Sequence, residues 1–311
     1  MKCNAGQPLV KKTLRKYGLL YLMFIPGAVY LLINNYIPMA GIVIAFKNYN
    51  VRDGIWKSPW VGFDNFEYLF KTKDAWIITR NTLGYNLAFI VLGTVFAVTV
   101  AILLYELRAQ RARKAYQTII LIPFLISMVI TSYLVYGFLA QDVGFVNNSI
   151  LKNLGKDSIS WYSEAKYWPF ILIFVNLWKQ FGYNCIIYYA TLMGIDKGYF
   201  EAAVIDGAGR WQRIRNITLP HLKPTIIIMT LLALGKIFYS DFGLFYQVPM
   251  NSGPLVNATN TIDTYVYRGM MSTGNLGMSS AAGFYQSIVG FVLVLSVNLI
   301  VRRVDRENAL F

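Results

Sequence analysis

Residues 201–220 read Glu201-Ala202-Ala203-Val204-Ile205-Asp206-Gly207, then nine residues, then Ile217-Thr218-Leu219-Pro220. The segment is basic and lies between two long apolar stretches, roughly 168–194 and 224–246. Asp196 is a natural N-cap for a helix over Lys197 to Asp206, and Gly207 is the residue type that ends one in the left-handed conformation. Phe200, Ala203, Val204 and Gly207 recur at i, i+3, i+4 and i+7, so they share one face. The small Ala202 and Ala203 allow that helix a close approach to another backbone or a narrow cleft. A second helix is expected near Arg210 to Ile217, carrying Trp211, Ile214 and Arg215, before Leu219-Pro220 turns the chain into the next apolar stretch.

Composition says where such a loop sits. Of 311 residues, 56% are hydrophobic and 14% are charged, against about 25% charged in soluble domains. Mean hydropathy is +0.45. Six stretches are long and apolar enough to cross about 30 Å of hydrocarbon as helices: roughly 18–46, 82–105, 116–140, 168–194, 224–246 and 283–301. The first exceeds what a span needs and contains Pro26, Pro38 and Gly41, so it is expected to kink or leave the bilayer before residue 46. It is too long for a cleavable signal peptide, and no small-residue cleavage site follows it. Two cysteines, Cys3 and Cys185, give neither a disulfide framework nor metal spacing. The single histidine, His221, leaves little for His-based catalysis or a metal site.

The formal net charge of +14 is distributed as a topology signal and not as a nucleic-acid surface. With the N-terminus inside, seventeen of the 29 lysines and arginines fall on inner segments, ten on outer ones, and Lys179 and Lys236 within spans. That asymmetry predicts both termini in the cytoplasm. Three parts follow: a basic arm, 1–17, at the anionic inner leaflet; a six-span domain, 18–301, with the signature loop at 195–223; and a tail, 302–311. In the first outer segment, 47–80, Asp64 to Phe70 reads as an interfacial amphipathic helix with Asp64 as N-cap. The outer loop 247–282, rich in Gly, Ser, Asn and Thr, is expected to face a partner or a substrate entrance.

The 201–220 segment fits E-A-A-x3-G-x9-I-x-L-P at every fixed position, and so resembles the cytoplasmic signature of bacterial ATP-binding-cassette importer permeases. Trp56 to Phe66, Asn176-Leu177-Trp178-Lys179 and Ile262 to Arg268 look like the LplB-type branch of the carbohydrate, maltose-type superfamily. The resemblance covers essentially the whole chain. It implies an all-α membrane protein of the type I importer permease fold, importing oligosaccharides from polysaccharide breakdown by alternating access. It also implies partners: a second permease subunit, a cytoplasmic ATPase dimer that binds ATP and magnesium, and an extracellular, often lipid-anchored, solute-binding protein. The loop would be the coupling helix docked in a groove of the ATPase. Glu201, Ala202, Ala203, Asp206, Gly207, Ile217, Leu219 and Pro220 would be its residues, with Glu201 bonding to the ATPase and Gly207 permitting the bend. The sequence contains no G-x-x-x-x-G-K-[ST] phosphate loop, as expected if hydrolysis belongs to another polypeptide.

Polar groups inside the spans suggest a path. A mid-membrane lysine costs about 2.5–3.5 kcal/mol on insertion scales, so Lys179 and Lys236 should face a cavity or a partner group. With Asn176, Asn184, Tyr239 and Asp241 they suit a saccharide path of hydroxyl-bonding and aromatic groups; Gln180 and Tyr246 have the same character. A structural lysine bonded to carbonyls is the competing reading for each cation. Pro123, Gly137 and the run Ser279 to Gly283 are expected to serve bending and packing. The rival function is an ion-coupled secondary transporter, which needs intramembrane carboxylates. Asp241 alone approaches that role, and the signature loop would have no use. A membrane-embedded enzyme is disfavoured by the lone histidine.

Overall fold

The computed structural model describes residues 9–272 and 274–304. Among these the chain is helical, with no strand and one isolated bridge between Lys47 and Trp60. Four long helices match expected spans two, four, five and six: Asp74–Glu106, Ala165–Met193, Arg210–Leu234 and Leu276–Arg303. The first span runs Tyr17–Phe46. Its winding passes from α to a π turn at Leu32–Tyr36 and then to 3₁₀ at Ala40–Phe46, so it stays helical to residue 46. Residues 9–16 of the basic arm form a helix separated from the span by non-helical Tyr17 (φ −119°, ψ 15°). Residues 1–8 and 305–311 lie outside the described residues.

The third span differs most from its expected form. The apolar run 116–140 is two helices, Gln110–Leu125 and Met128–Leu139, bent by 95° at Ile126-Ser127. Ser127 caps the second half by accepting from the N–H of Ile130 at 3.3 Å. Counting this pair as one crossing gives six spans. Pro123 sits beside the break, whereas Gly137 has open space around it and packs against nothing.

The fifth span is shifted rather than centred on 224–246. The chain does not turn at Leu219-Pro220. Helix runs from Arg210 through a π turn at Ile214–Thr218 to Leu234. A proline removes a donor and crowds the carbonyl four residues back; the wider π turn before Pro220 relieves both constraints. The helix stops at Leu234, and residues 235–242 are irregular before a short π turn at Gly243–Gln247.

Three buried clusters hold the bundle. One joins Ala97, Ala101, Leu104, Cys185, Tyr188, Leu192 and Leu222 near the 195–209 loop. A second, at the opposite end, joins Tyr85, Trp168, Leu172, Val175, Leu244 and Phe245. The third seats Leu69, Ile78, Phe238, Ile262, Tyr265 and Ala282. The interfacial helix is Asp64–Lys71, with Asp64 in its first turn and Phe63 at the cap position. The 247–282 stretch is not a loose loop. It forms helices Val256–Thr259 and Ile262–Ser272, pinned where Asn81 donates to the carbonyls of Asn257 and Asn260 (both 2.9 Å) and Tyr85 to that of Ala258 (2.8 Å). The Ser279–Gly283 run packs there, with Ser279 Oγ so close to Gly269 that a Cβ would meet it at 2.5 Å.

Candidate functional site

Two regions carry the sequence-predicted residues, at different depths. The first is the 195–209 loop. The side chain of Asp196 accepts from the N–H of Gly198 (2.9 Å) and starts the helix Lys197–Ile205. The helix ends through Ala208 N–H donating to Ala203 O (2.8 Å), with Gly207 at φ +78°. Gln212 reaches back to accept from Gly209 N–H at 2.7 Å, fixing the start of the next helix. Arg210 pairs with Glu106 at 3.0 Å, tying that start to the end of the second span.

This arrangement splits the motif in two. Glu201, Ala202, Asp206 and Gly207 are exposed. Ile217 and Leu219 pack against the buried cluster below, as Phe200 does; Phe200 lies 5.7 Å from the Tyr105 ring. Pro220 is exposed at the π turn. Phe200 and Ala203 are half-buried, but Val204 is exposed, so the expected common face is shared unequally between bundle and solvent. Along with the exposed carboxylates of Glu201 and Asp206, the outward surface carries bare apolar side chains: Tyr199, Val204, Ile205 (86% exposed) and Trp211 (69%). Beside it opens a cleft of about 890 Å³ with Glu106, Arg108, Arg113, Lys197, Glu201 and Arg213 on its walls.

The second region is a cavity of about 610 Å³ between spans two, four and five. It gathers Asn176, Asn184, Lys236 and Tyr239 of the predicted path, together with Gln180. Lys179 and Asp241 are not part of its lining. Lys179 is buried outside that lining, donating to the carbonyls of Pro123 (3.3 Å), Phe124 (3.4 Å) and Ile126. These are carbonyls at the end of a broken helix, where the last ones run out of partners within it and carry the negative end of its dipole; that of Pro123 also accepts from the N–H of Ile126 at 3.3 Å. Lys179 therefore holds the break in the third span and is a structural lysine. Asp241 caps the turn at Gly243–Gln247, its Oδ1 accepting from Leu244 N–H at 3.1 Å.

Removing the ammonium from Lys179 takes away the partner of the part-buried Phe124 and Ile126 carbonyls, at about 1–3 kcal/mol for each one left bare. Lys179→Met should therefore lower the thermal midpoint of the detergent-solubilised protein by roughly 5 °C or more, with Lys179→Arg losing less. An unchanged midpoint would dismiss the clamp.

Sequence reasoning missed part of the cavity. Asn86, Phe89, Thr94, Phe124, Tyr183 and Tyr188 also line it. Phe124 and Tyr183 stack at 4.9 Å with their planes 15° apart. Asn86 donates to the carbonyls of Ile237 and Tyr239 (both 2.8 Å), which holds the irregular turn that bears Lys236. Asn86 and Thr94 were readable as polar groups inside an apolar span; the aromatic pair gave no such signal.

The profile of the family described as "Binding-protein-dependent transport system inner membrane component" matches residues 93–306. Protein LplB of Bacillus subtilis is 35% identical over 289 residues, covering 93% of this chain and 90% of the relative. The polygalacturonan/rhamnogalacturonan transport system permease YteP of the same organism is 34% identical, covering 96% and 92%. A chain from the crystal structure of a bacterial ABC transporter involved in import of the acidic polysaccharide alginate superposes with a TM-score of 0.87. It is 32% identical, over 96% of this chain and all of that one. A chain of a bacterial alginate ABC transporter in complex with an alginate pentasaccharide-bound periplasmic protein gives 0.85 at 33% identity, covering 94% and 97%.

Proposed function

This chain belongs to the family of binding-protein-dependent inner membrane transport components, and we propose that it is one permease subunit of an ATP-driven oligosaccharide importer. As a member of that family it is a multi-pass membrane permease without a catalytic centre. The cargo is an oligosaccharide released from a polysaccharide, handed over by an extracellular solute-binding protein. The names of two relatives support that class: one is a polygalacturonan/rhamnogalacturonan permease and another an alginate importer. A second permease subunit completes the path. Two copies of a cytoplasmic ATPase supply the ATP and magnesium chemistry.

The observation that carries this reading is the 197–205 helix. It is capped at both ends, rooted in the bundle by Phe200, Ile217 and Leu219, and turns bare apolar side chains away from it. A rigid peg of this kind suits the transmission of a closing motion from one protein body to another. In this orientation the loop and both termini are cytoplasmic. The ion-coupled alternative loses its carboxylate, because Asp241 is engaged in capping the turn at Gly243–Gln247.

Purifying the tagged chain in mild detergent should bring down an ATPase bearing a phosphate-binding loop and a second permease. In a cysteine-free background, Lys156→Cys should react with an impermeant thiol reagent from outside the cell and Ile205→Cys should not. Recovery of the chain alone, or outside labelling at 205, would defeat the assignment.

A further inference from the structure

We propose that Lys236 is the specificity-determining cation of the transport path, receiving a carboxylate of an anionic oligosaccharide such as an oligomer of uronic acids. The proposal rests on the permease reading and goes past it to the charge of the cargo.

Four observations converge. Lys236 is exposed on the 610 Å³ cavity, and its side chain makes no hydrogen bond or ion pair within the described chain. Among the described residues lining that cavity it is the one charged side chain; the other polar groups are the neutral Asn86, Thr94, Asn176, Gln180 and Asn184 and the tyrosines. Its position is fixed by a built frame. The turn after Leu234 has its carbonyls bonded by Asn86 (to Ile237 and Tyr239) and by Gln286 (to Phe238, 2.9 Å), and Asp263 accepts from the N–H and hydroxyl of Ser240, both at 2.7 Å. Irregular backbone inside a membrane protein survives only where such groups satisfy it or where it lines a cavity; here both hold. Finally, the depth is unfavourable for an unpaired ammonium, since Asn86 lies well inside the 33-residue helix Asp74–Glu106.

The comparison with Lys179 isolates the role. Both cations come from apolar stretches of the sequence, but Lys179 is consumed by three helix-end carbonyls, whereas the Lys236 side chain, on the turn after Leu234, has no hydrogen-bond partner within the described chain. A neutral sugar would be served by the amides, and its ring faces by the stacked Phe124 and Tyr183. An ammonium gains more from an anion than from a hydroxyl, because charge-assisted hydrogen bonds are roughly twice as strong as neutral ones. A cavity of this size lies within the usual range for ligand sites of about 300–1,000 Å³.

The test is ATP-dependent uptake by the complete transporter in proteoliposomes, loaded with its binding protein. An oligouronate is compared with its carboxyl-reduced counterpart of equal length and linkage, for wild type, Lys236→Gln and Lys236→Arg. Lys236→Gln should lose about tenfold or more of acidic uptake while uptake of the reduced sugar stays within about twofold. Lys236→Arg should keep most acidic uptake. Equal losses for both sugars, the signature of a lysine paired with an acid of the partner subunit, would overturn the proposal. So would no loss for either, or a wild type that takes only the reduced sugar. If wild type takes only the oligouronate, a tenfold loss in Lys236→Gln with recovery in Lys236→Arg and an unchanged basal ATPase rate supports it, and loss in both variants sinks it. Absence of ATP-dependent uptake of any sugar by wild type would instead bring down the permease reading itself, and this proposal with it.

Discussion

Replacing Gly182 with alanine is expected to cost the chain its folded state in the membrane, an effect larger than that of any surface substitution. Gly182 lies on the fourth span where the first half of the broken third span crosses it. A Cβ built there would fall 1.8 Å from the carbonyl oxygen of Ile120 and 2.6 Å from its carbon. The obstacle is backbone, which cannot swing aside as a side chain tip can, so the two helices must separate. Small residues at such crossings let helices approach closely, and without water to drive association that packing is a principal source of helix–helix affinity in lipid. Separation would also draw the carbonyls of Pro123, Phe124 and Ile126 away from Lys179, one turn earlier on the same helix. Overpacking typically costs about 1–3 kcal/mol and more where backbone must shift. Gly182→Ala should sharply reduce the yield of monodisperse protein on size-exclusion chromatography in detergent. Gly137→Ala, with nothing within 4 Å, should match wild type. Equal yields for the two variants would refute the close crossing.

That crossing was not legible in the sequence, and of the break beside it only a bend near Pro123 was. The run from Ile119 to Leu139 is apolar apart from Ser127, Thr131 and Ser132 and carries no charge, and hydropathy measures length in lipid, not straightness. What bends it is Lys179, more than fifty residues away, supplying hydrogen bonds that let a helix end inside the bundle. The fifth span was misplaced for a related reason. Pro220 and Pro224 read locally as a helix start, whereas the π turn at Ile214–Thr218 carries the helix through them. The end at Leu234 is set by Asn86, Asp263 and Gln286 from three other segments. Span number, the caps at Asp196 and Gly207 and the interfacial Asp64–Lys71 helix were legible, because each is encoded within a few neighbouring residues. The candidate path was legible by residue type and not by facing. Lys179 and Lys236 look alike as lysines in apolar stretches, and tertiary partners alone separate the clamp from the unpaired cation.

Glu201→Lys and Gly207→Val are expected to leave the transporter assembled in the membrane while severing ATP hydrolysis from uptake. Glu201 is exposed on the wall of the charged cleft beside the 197–205 helix, so reversing its charge changes what an ATPase groove meets without disturbing the bundle. Gly207 works through conformation. Its φ of +78° is one that L side chains rarely adopt, and nothing lies within 4 Å of an added Cβ, so the cost is backbone strain alone. That strain is about 1–2 kcal/mol for an ordinary residue and greater for a β-branched one, for which such a conformation is an outlier. Relief requires the helix end to unwind and the peg to change direction relative to Arg210 and its partner Glu106. A loss of that order weakens docking about tenfold or more. In proteoliposomes, uptake should fall by at least that factor in Glu201→Lys and Gly207→Val, with basal ATP hydrolysis retained and no longer stimulated by the loaded binding protein. Gly207→Asn separates strain from bulk, because asparagine tolerates the left-handed region; it should keep most of the coupled activity. Normal transport by both Glu201→Lys and Gly207→Val would detach this loop from the ATPase. Failure of Gly207→Asn alongside a working Gly207→Val would show that the bend acts through something other than its φ.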